Sequence, residues 1–351
     1  MRSTFTVGTR GSHLARTQTT GAAEALAAAS GLVPHLEIIK TEGDVTTGSL
    51  ASLGGTGVFA SALRAAVLES RVDLAVHSLK DLPSVQPEGL EIAAVPKRVD
   101  VRDALCARDG LRLSELPTGS RVGTGSPRRV AQLKAVRPDL DIVDIRGNVQ
   151  TRLARVPGLE QHDDHAPAAA GSPRGDLDAV VLACAGLDRI GYEWAITERL
   201  APTVMMPAPG QGALAVECRP ETAAAGDDLA LALAGYDDAV TRLQVTAERA
   251  LLERLEAGCS APIGALARVE REPESGSQPG SGGGRLVMDA VVAALDGSRL
   301  LREHAGVDLP TVRVRLEDGT ADAQALDLAR QLGIRVAEAL LAGGADLFPA
   351  T

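Results

Sequence analysis

Aromatic side chains are nearly missing from this chain: three Phe, two Tyr and one Trp in 351 residues. Single-stranded nucleic acid is bound on stacking platforms and duplex DNA on a basic face, and the formal net charge here is −10, so a nucleic-acid partner is not expected. Lysine is scarce as well, with Lys40, Lys80, Lys97 and Lys134 against 32 arginines. An arginine therefore says little by its presence, and only its position informs. No apolar run reaches the eighteen or more residues of a membrane span. The opening MRSTFTVGTRGSHLA lacks the apolar centre of a signal peptide, and the expectation is a cytoplasmic protein with no membrane partner.

The four cysteines include no Cys-x-x-Cys pair and no nearby histidine spacing, which argues against zinc, iron–sulfur clusters and a disulfide framework. DALCAR, AVVLACAG and ALAVECR read as buried strands in which Cys106, Cys184 and Cys218 are small hydrophobes. Cys259 differs. In ERLEAGCSAPIGAL it stands between Gly258 and Ser260 with Pro262 following, residues that punctuate loops, so this thiol is reachable. His162, Asp163, Asp164 and His165 imitate a metal site, but their Pro/Ala-rich surroundings read as a solvated loop, and no metal is expected.

Short apolar runs alternate with helical patterns twice over: FTVGTR, LEIIKT, VDLAVHS and LEIAAVP, then DALCAR, RVGTG, DIVDIRG and LDAVVLACAG. This alternation predicts an α/β fold with largely parallel strands. From about residue 222 the order becomes helix, three strands and a closing helix, a small α+β unit. Stretches 158–175 and 270–284, rich in Gly, Pro, Ala or charge, read as mobile surface loops.

Two turns echo each other. VGTRGSHLARTQ and VGTGSPRRVAQ each run strand, Gly-Thr, Ser, helix, with Arg10 and Ser12 in one and Ser126, Arg128 and Arg129 in the other. A helix start presents unpaired N–H groups and a positive dipole end, so two such turns with guanidinium groups favour a polyanionic ligand between two lobes. Residues 121 to 155 hold seven arginines where composition predicts roughly three. Arg146 follows a strand and Arg152 lies in the next helix, on the ligand-binding side of an open α/β sheet. Arg137 and Arg155 have no such placement and are expected to be solvated. AVHSLKDLP sets Lys80 and Asp81 at the end of a buried strand, where a carboxylate among cations stays ionised.

TRGSHLA, HSLKDLP, VGTGSPRR, DIRGNVQTRL, LACAGLDRIG, PAPGQGALAVECR and AGCSAPIG occur in the order and spacing of the porphobilinogen deaminases, and the resemblance covers about residues 4 to 270. The resemblance implies two lobes like periplasmic binding proteins, residues 1–98 with 201–220 and residues 99–200, joined by crossings near Val99 and Ala201, plus a C-terminal α+β domain of residues 221–351. It implies a transferase that condenses four porphobilinogens head to tail, each losing ammonia, on a dipyrromethane cofactor, then releases hydroxymethylbilane by hydrolysis. Cys259 would carry that cofactor through a thioether. Asp81 matches the catalytic aspartate. Lys80, Asp81, Ser126, Arg128, Arg129 and Arg146 match cofactor-binding positions, and Arg10, Ser12, Arg152 and Arg189 match substrate-binding ones. A monomer is implied. One departure stands out: GGTGVFASALR has Thr56 and Ser61 where the family's lid stretch carries lysines. The rival reading, a non-catalytic two-lobed anion-binding protein, explains the paired helix starts and leaves the loop cysteine without a purpose.

Overall fold

The computed structural model describes residues 2–40, 60–160, 174–256, 261–271, 284–309, 322–344 and 347. The chain begins with β1 (Thr4–Thr9), α1 (His13–Ser30) and β2 (Val33–Ile38), then α2 (Ser61–Leu68), β3 (Leu74–Ser78), a 3-10 turn at Leu79–Asp81 and β4 (Glu91–Ala94). A second unit runs β5 (Asp103–Ala107), β6 (Arg121–Gly123), α3 (Pro127–Val136), β7 (Asp141–Val143), α4 (Val149–Leu153), β8 (Ala179–Ala183), α5 (Cys184–Arg189) and β9 (Glu198–Leu200). β10 (Leu214–Cys218), α6 (Pro220–Ala223), α7 (Asp228–Tyr236) and α8 (Ala239–Arg254) follow. The described chain closes with β11 (Ile263–Arg271), β12 (Gly284–Ala293), β13 (Leu300–Leu309) and α9 (Ala323–Gly344).

These strands form three sheets: β2-β1-β3-β10-β4, β7-β6-β8-β5-β9 and β11-β12-β13. The protein is thus mixed α/β with a small α+β unit at its C-terminal end. The expectation of largely parallel strands holds for four strands of each five-stranded sheet and fails for one. β1 is parallel to β2 and β3, but β10 runs antiparallel to both β3 and β4. In the second sheet β5 is likewise antiparallel to β8 and β9. The cause is the double crossing: each unit receives one strand from a chain that arrives from the other unit, and that strand enters against the local direction.

Local chemistry sets the helix starts that face the cleft. Ser12 caps α1 by accepting from Ala15 N at 3.3 Å, and Gly31, with φ of 72°, ends it. Pro127 opens α3 with a φ already suited to the first turn. The apolar face of α1, with Ala22, Ala23 and Leu26, packs on Phe5, Val7, Leu74 and Val216 of the first sheet. Leu229, Ala232 and Leu233 of α7 join this same cluster, so the first sheet's core draws in chain beyond residue 220. A further correction concerns Cys184. It opens α5 instead of lying in a strand, although it is fully buried.

One buried carboxylate ties the three sheets together. Glu248 of α8, 0% exposed, receives Arg98 through both oxygens at 2.6 and 2.9 Å, Gly210 N at 2.6 Å and Ala267 N at 2.8 Å. Arg98 lies on the first crossing, Gly210 on the return and Ala267 on β11. A charge taken this far from water is tolerable only when its hydrogen-bonding capacity is filled, and here it is.

Candidate functional site

The two crossings run side by side, with Val99 N donating to Gly212 O at 3.3 Å. The cleft opens next to them. A small cavity of about 40 Å³ in the first unit is lined by Arg10, Gln18, Ala60, His77, Ser78 and Asp81, among others. β3 delivers the last of these: its buried run Leu74–His77 fixes the strand, and the turn at Leu79–Asp81 then swings Lys80 and Asp81 out of the sheet. Asp81 is exposed and Lys80 half-buried. Burial, and then the neighbouring positive charge of Arg129, bring the Lys80 ammonium down to about 8.

The second unit faces it with cations. Arg128 and Arg129 enter on the first turn of α3, and both are buried. Arg128 Nη1 donates to Asp103 Oδ2 at 2.8 Å and to Met206 O at 2.6 Å. Arg129 donates to Asp103 Oδ1 from Nε and Nη2 at 3.1 and 2.7 Å, and from Nη1 to Val181 O at 2.8 Å. The expectation that these guanidinium forks face a ligand is thereby qualified: a ligand carboxylate must share them with Asp103. Burial alone would raise the Asp103 carboxyl, but the charges of Arg128 and Arg129 hold it well below the usual range.

Arg146 and Arg152 complete the wall. Arg146 reaches Asp144 at 4.0 Å. Arg152, on α4, donates from Nε to Gly147 O at 2.8 Å. Its guanidinium is lowered to about 10 by burial and then by Arg129 and Arg146, with Asp81 opposing. The charges of Arg129, Arg146 and Asp81 thus all act on the Arg152 guanidinium. Ser12 is nearby but its hydroxyl serves the cap of α1. Ser126 starts α3 without capping it through its side chain. A direct contact links the units where Gln150 Nε2 and His13 Nδ1 stand 3.1 Å apart.

Arg189 stands at the return crossing, where its Nη2 donates to Gly212 O at 2.8 Å, and burial lowers it to about 10. Two expectations change. Arg137 and Arg155 are corrected from solvated to structural. Arg137 grips Asp139 at 2.6 Å and the carbonyls of Leu113 and Leu116, and Arg155 grips Asp176 at 2.6 Å. Cys259 lies outside the described residues, as do Thr56, the His162–His165 cluster and most of the 158–175 and 270–284 loops. Among the described residues no group of His, Cys, Asp or Glu is arranged to hold a metal, and no helix is long and apolar enough to cross a membrane. Burial pushes the thiols of Cys106, Cys184 and Cys218 up to about 12, which leaves them poor nucleophiles.

Sequence reasoning missed Asp103, Gln211 and Glu248. Asp103 had a signal, because an aspartate heading the apolar strand DALCA must find cations once buried. Gln211 stands between two glycines, and Glu248 sits on the inward face of an amphipathic helix.

Known proteins match most of the chain. Residues 5–227 match the family model "Porphobilinogen deaminase, dipyromethane cofactor binding domain", and residues 242–342 match "Porphobilinogen deaminase, C-terminal domain". The porphobilinogen deaminase of Micrococcus luteus is 64% identical over 98% of this chain and 94% of its own. That of Cutibacterium acnes is 54% identical over 98% and 96%. Among solved structures, a periplasmic substrate-binding protein of an ABC transporter from Coxiella burnetii aligns with a TM-score of 0.39 and 13% identity, covering 65% of this chain and 90% of that one.

Proposed function

This chain belongs to the porphobilinogen deaminase family, and from that premise we infer which of its residues perform the reaction. The protein acts in tetrapyrrole synthesis, condensing four porphobilinogens into a linear tetrapyrrole with loss of ammonia. We read it as a transferase working as a cytoplasmic monomer.

Each pyrrole ring of the substrate and of the dipyrromethane cofactor carries acetate and propionate, so the site must hold many carboxylates at once. The residues of the cleft fit that demand: the Lys80 ammonium, the guanidinium groups of Arg10, Arg128, Arg129, Arg146 and Arg152, and the Ser126 hydroxyl that its helix leaves uncapped. When bound, the cofactor supplies a covalently held primer on which the chain is built, and Cys259 is the thiol we assign to carry it. Lys80, Ser126, Arg128, Arg129 and Arg146 hold its carboxylates; Arg10 and Arg152 receive those of the substrate. Ser12 shapes the Arg10 turn by capping α1. Arg189 orders the return crossing through Gly212.

Asp81 performs the chemistry in this reading. Departure of ammonia from the substrate's aminomethyl carbon leaves a delocalised positive charge on the pyrrole, and attack by the α-carbon of the preceding ring transfers that charge before a proton is lost. A fixed carboxylate accepting pyrrole N–H bonds holds the cationic species more tightly than the neutral one, and that difference lowers the barrier. The observation that carries the proposal is an exposed Asp81 lining the same cavity as Arg10, with its charge acting on the Arg152 guanidinium.

Intact mass tests the cofactor and its attachment to Cys259. Protein purified without added ligand should exceed its sequence mass by two linked pyrrole units, and Cys259→Ser should fold, lack that increment and be inactive, since oxygen is the poorer nucleophile. Normal cofactor mass on Cys259→Ser would overturn the assignment.

A further inference from the structure

Gly210 and Gly212 have φ of 75° and 88°, in the left-handed region that glycine enters at no steric cost. Both are also pressed for space. A Cβ on Gly210 would stand 3.3 Å from Lys80 N, and one on Gly212 would stand 2.7 Å from Val99 O. The pair lets the return crossing pass between the Leu79–Asp81 turn and the outgoing crossing, and it carries Gln211 into the interior, 0% exposed.

The Gln211 amide spans the two units. Its Oε1 accepts from Lys80 Nζ at 3.1 Å, while its Nε2 donates to Val101 O at 2.7 Å and to Asp103 Oδ1 at 3.0 Å. This orientation has no alternative. Rotating the amide would set its NH2 against an ammonium and its oxygen against two other oxygens. Asp103 is the same carboxylate that Arg128 and Arg129 grip, so Lys80, Gln211, Asp103 and the two arginines form one continuous network. Contact through a neutral amide fixes the position of the ammonium without itself neutralising it.

We propose that Gln211 is a positioning residue for anion binding, holding the Lys80 ammonium of the first unit in register with the Asp103–Arg128–Arg129 cluster of the second so that cations from both units grip a polycarboxylate ligand as one set. It rests on the assignment of Lys80 to cofactor binding. A carboxylate that draws Lys80 from Gln211 also disturbs a donor to Asp103, so engagement on one unit is felt by the arginines of the other.

Reductive methylation of lysines, read peptide by peptide in apoprotein, tests the positioning directly, with Lys97 and Lys134 as internal references. Gln211→Met keeps the volume and removes all three side-chain hydrogen bonds. Lys80 should then be labelled at least about fivefold faster at pH 8, on the scale of one lost charge-assisted hydrogen bond, with both references unchanged. Gln211→Glu should move the other way, slowing Lys80 labelling below wild type as an ion pair replaces the neutral contact. Covalent loading of apoprotein with cofactor, followed by intact mass, should be slower in Gln211→Met than in wild type. Wild-type labelling of Lys80 in either folded variant, equal changes at all three lysines, or a wild-type loading rate would each overturn the proposal. Gln211→Glu decides it alone if Gln211→Met does not fold. The labelling needs no cofactor, so its failure is separable from failure of the Lys80 assignment, which Lys80→Ala tests by intact mass.

Discussion

Asp81 and Lys80 are neighbours in sequence with opposite charges. Asp81→Asn keeps the size and one acceptor but removes the charge, so elongation in cofactor-loaded protein should slow by at least about a hundredfold, as when a preorganised electrostatic contact is lost. A near-normal single-turnover rate would move the catalytic role elsewhere. Lys80 introduces a pH dependence. Its ammonium, lowered from 10.5 to about 8 by burial and then by Arg129, is charged below that pH and neutral above it. Its hold on cofactor carboxylates should therefore weaken as pH rises through about 8, seen as slower loading of apoprotein with cofactor, a dependence that Lys80→Arg flattens. Fold stability carries the opposite sign for this group: with a folded pKa below the unfolded one, its contribution improves between about 8 and 10.5. Both residues were legible, because HSLKDLP ends an apolar strand and strand ends face ligands. Asp103 was not weighed, and with it went the discovery that Arg128 and Arg129 already hold a carboxylate. Arg137 misled for a related reason: sequence spacing shows neither the Leu113 and Leu116 carbonyls nor the ion pair with Asp139 that its fork satisfies.

At the scale of elements, the strand–turn–helix units around Ser12 and Ser126 read directly from sequence, since Gly, Thr, Ser and Pro act through local backbone preferences. The direction of the one opposed strand in each sheet did not. The antiparallel entry of β10 depends on where the chain has been, and no local pattern in LAVEC records that. The place of α7 was equally hidden: Leu229, Ala232 and Leu233 show an apolar face without saying which sheet it covers. α8 offers the sharpest test of element packing. Glu248→Gln preserves shape but leaves the Arg98 guanidinium without its charge partner in a buried site, which should cost about 3–5 kcal/mol. Urea unfolding should show this as a lower midpoint, and a midpoint within error of wild type would mean that the junction contributes little to holding α8 in place.

For the whole molecule, the three-sheet plan was legible because each unit repeats its own grammar of strands and helices. The loop at 158–175 was expected to be dispensable on composition, and replacing residues 160–174 by a short Gly-Ser link should leave activity nearly intact. A folded, cofactor-loaded but inactive deletion would show a function for that stretch. Light scattering should give the mass of one chain. The junction at Glu248 has a kinematic consequence. Outgoing and returning crossings are fastened to one carboxylate, through Arg98 and Gly210 N, so the two units have a shared pivot with α8 seated on it. Their relative movement is then a change of angle, and the space between them widens as a wedge. An occupant that lengthens ring by ring can be admitted by opening that angle, which sacrifices contacts away from the pivot, such as His13 with Gln150, while the fastening stays whole.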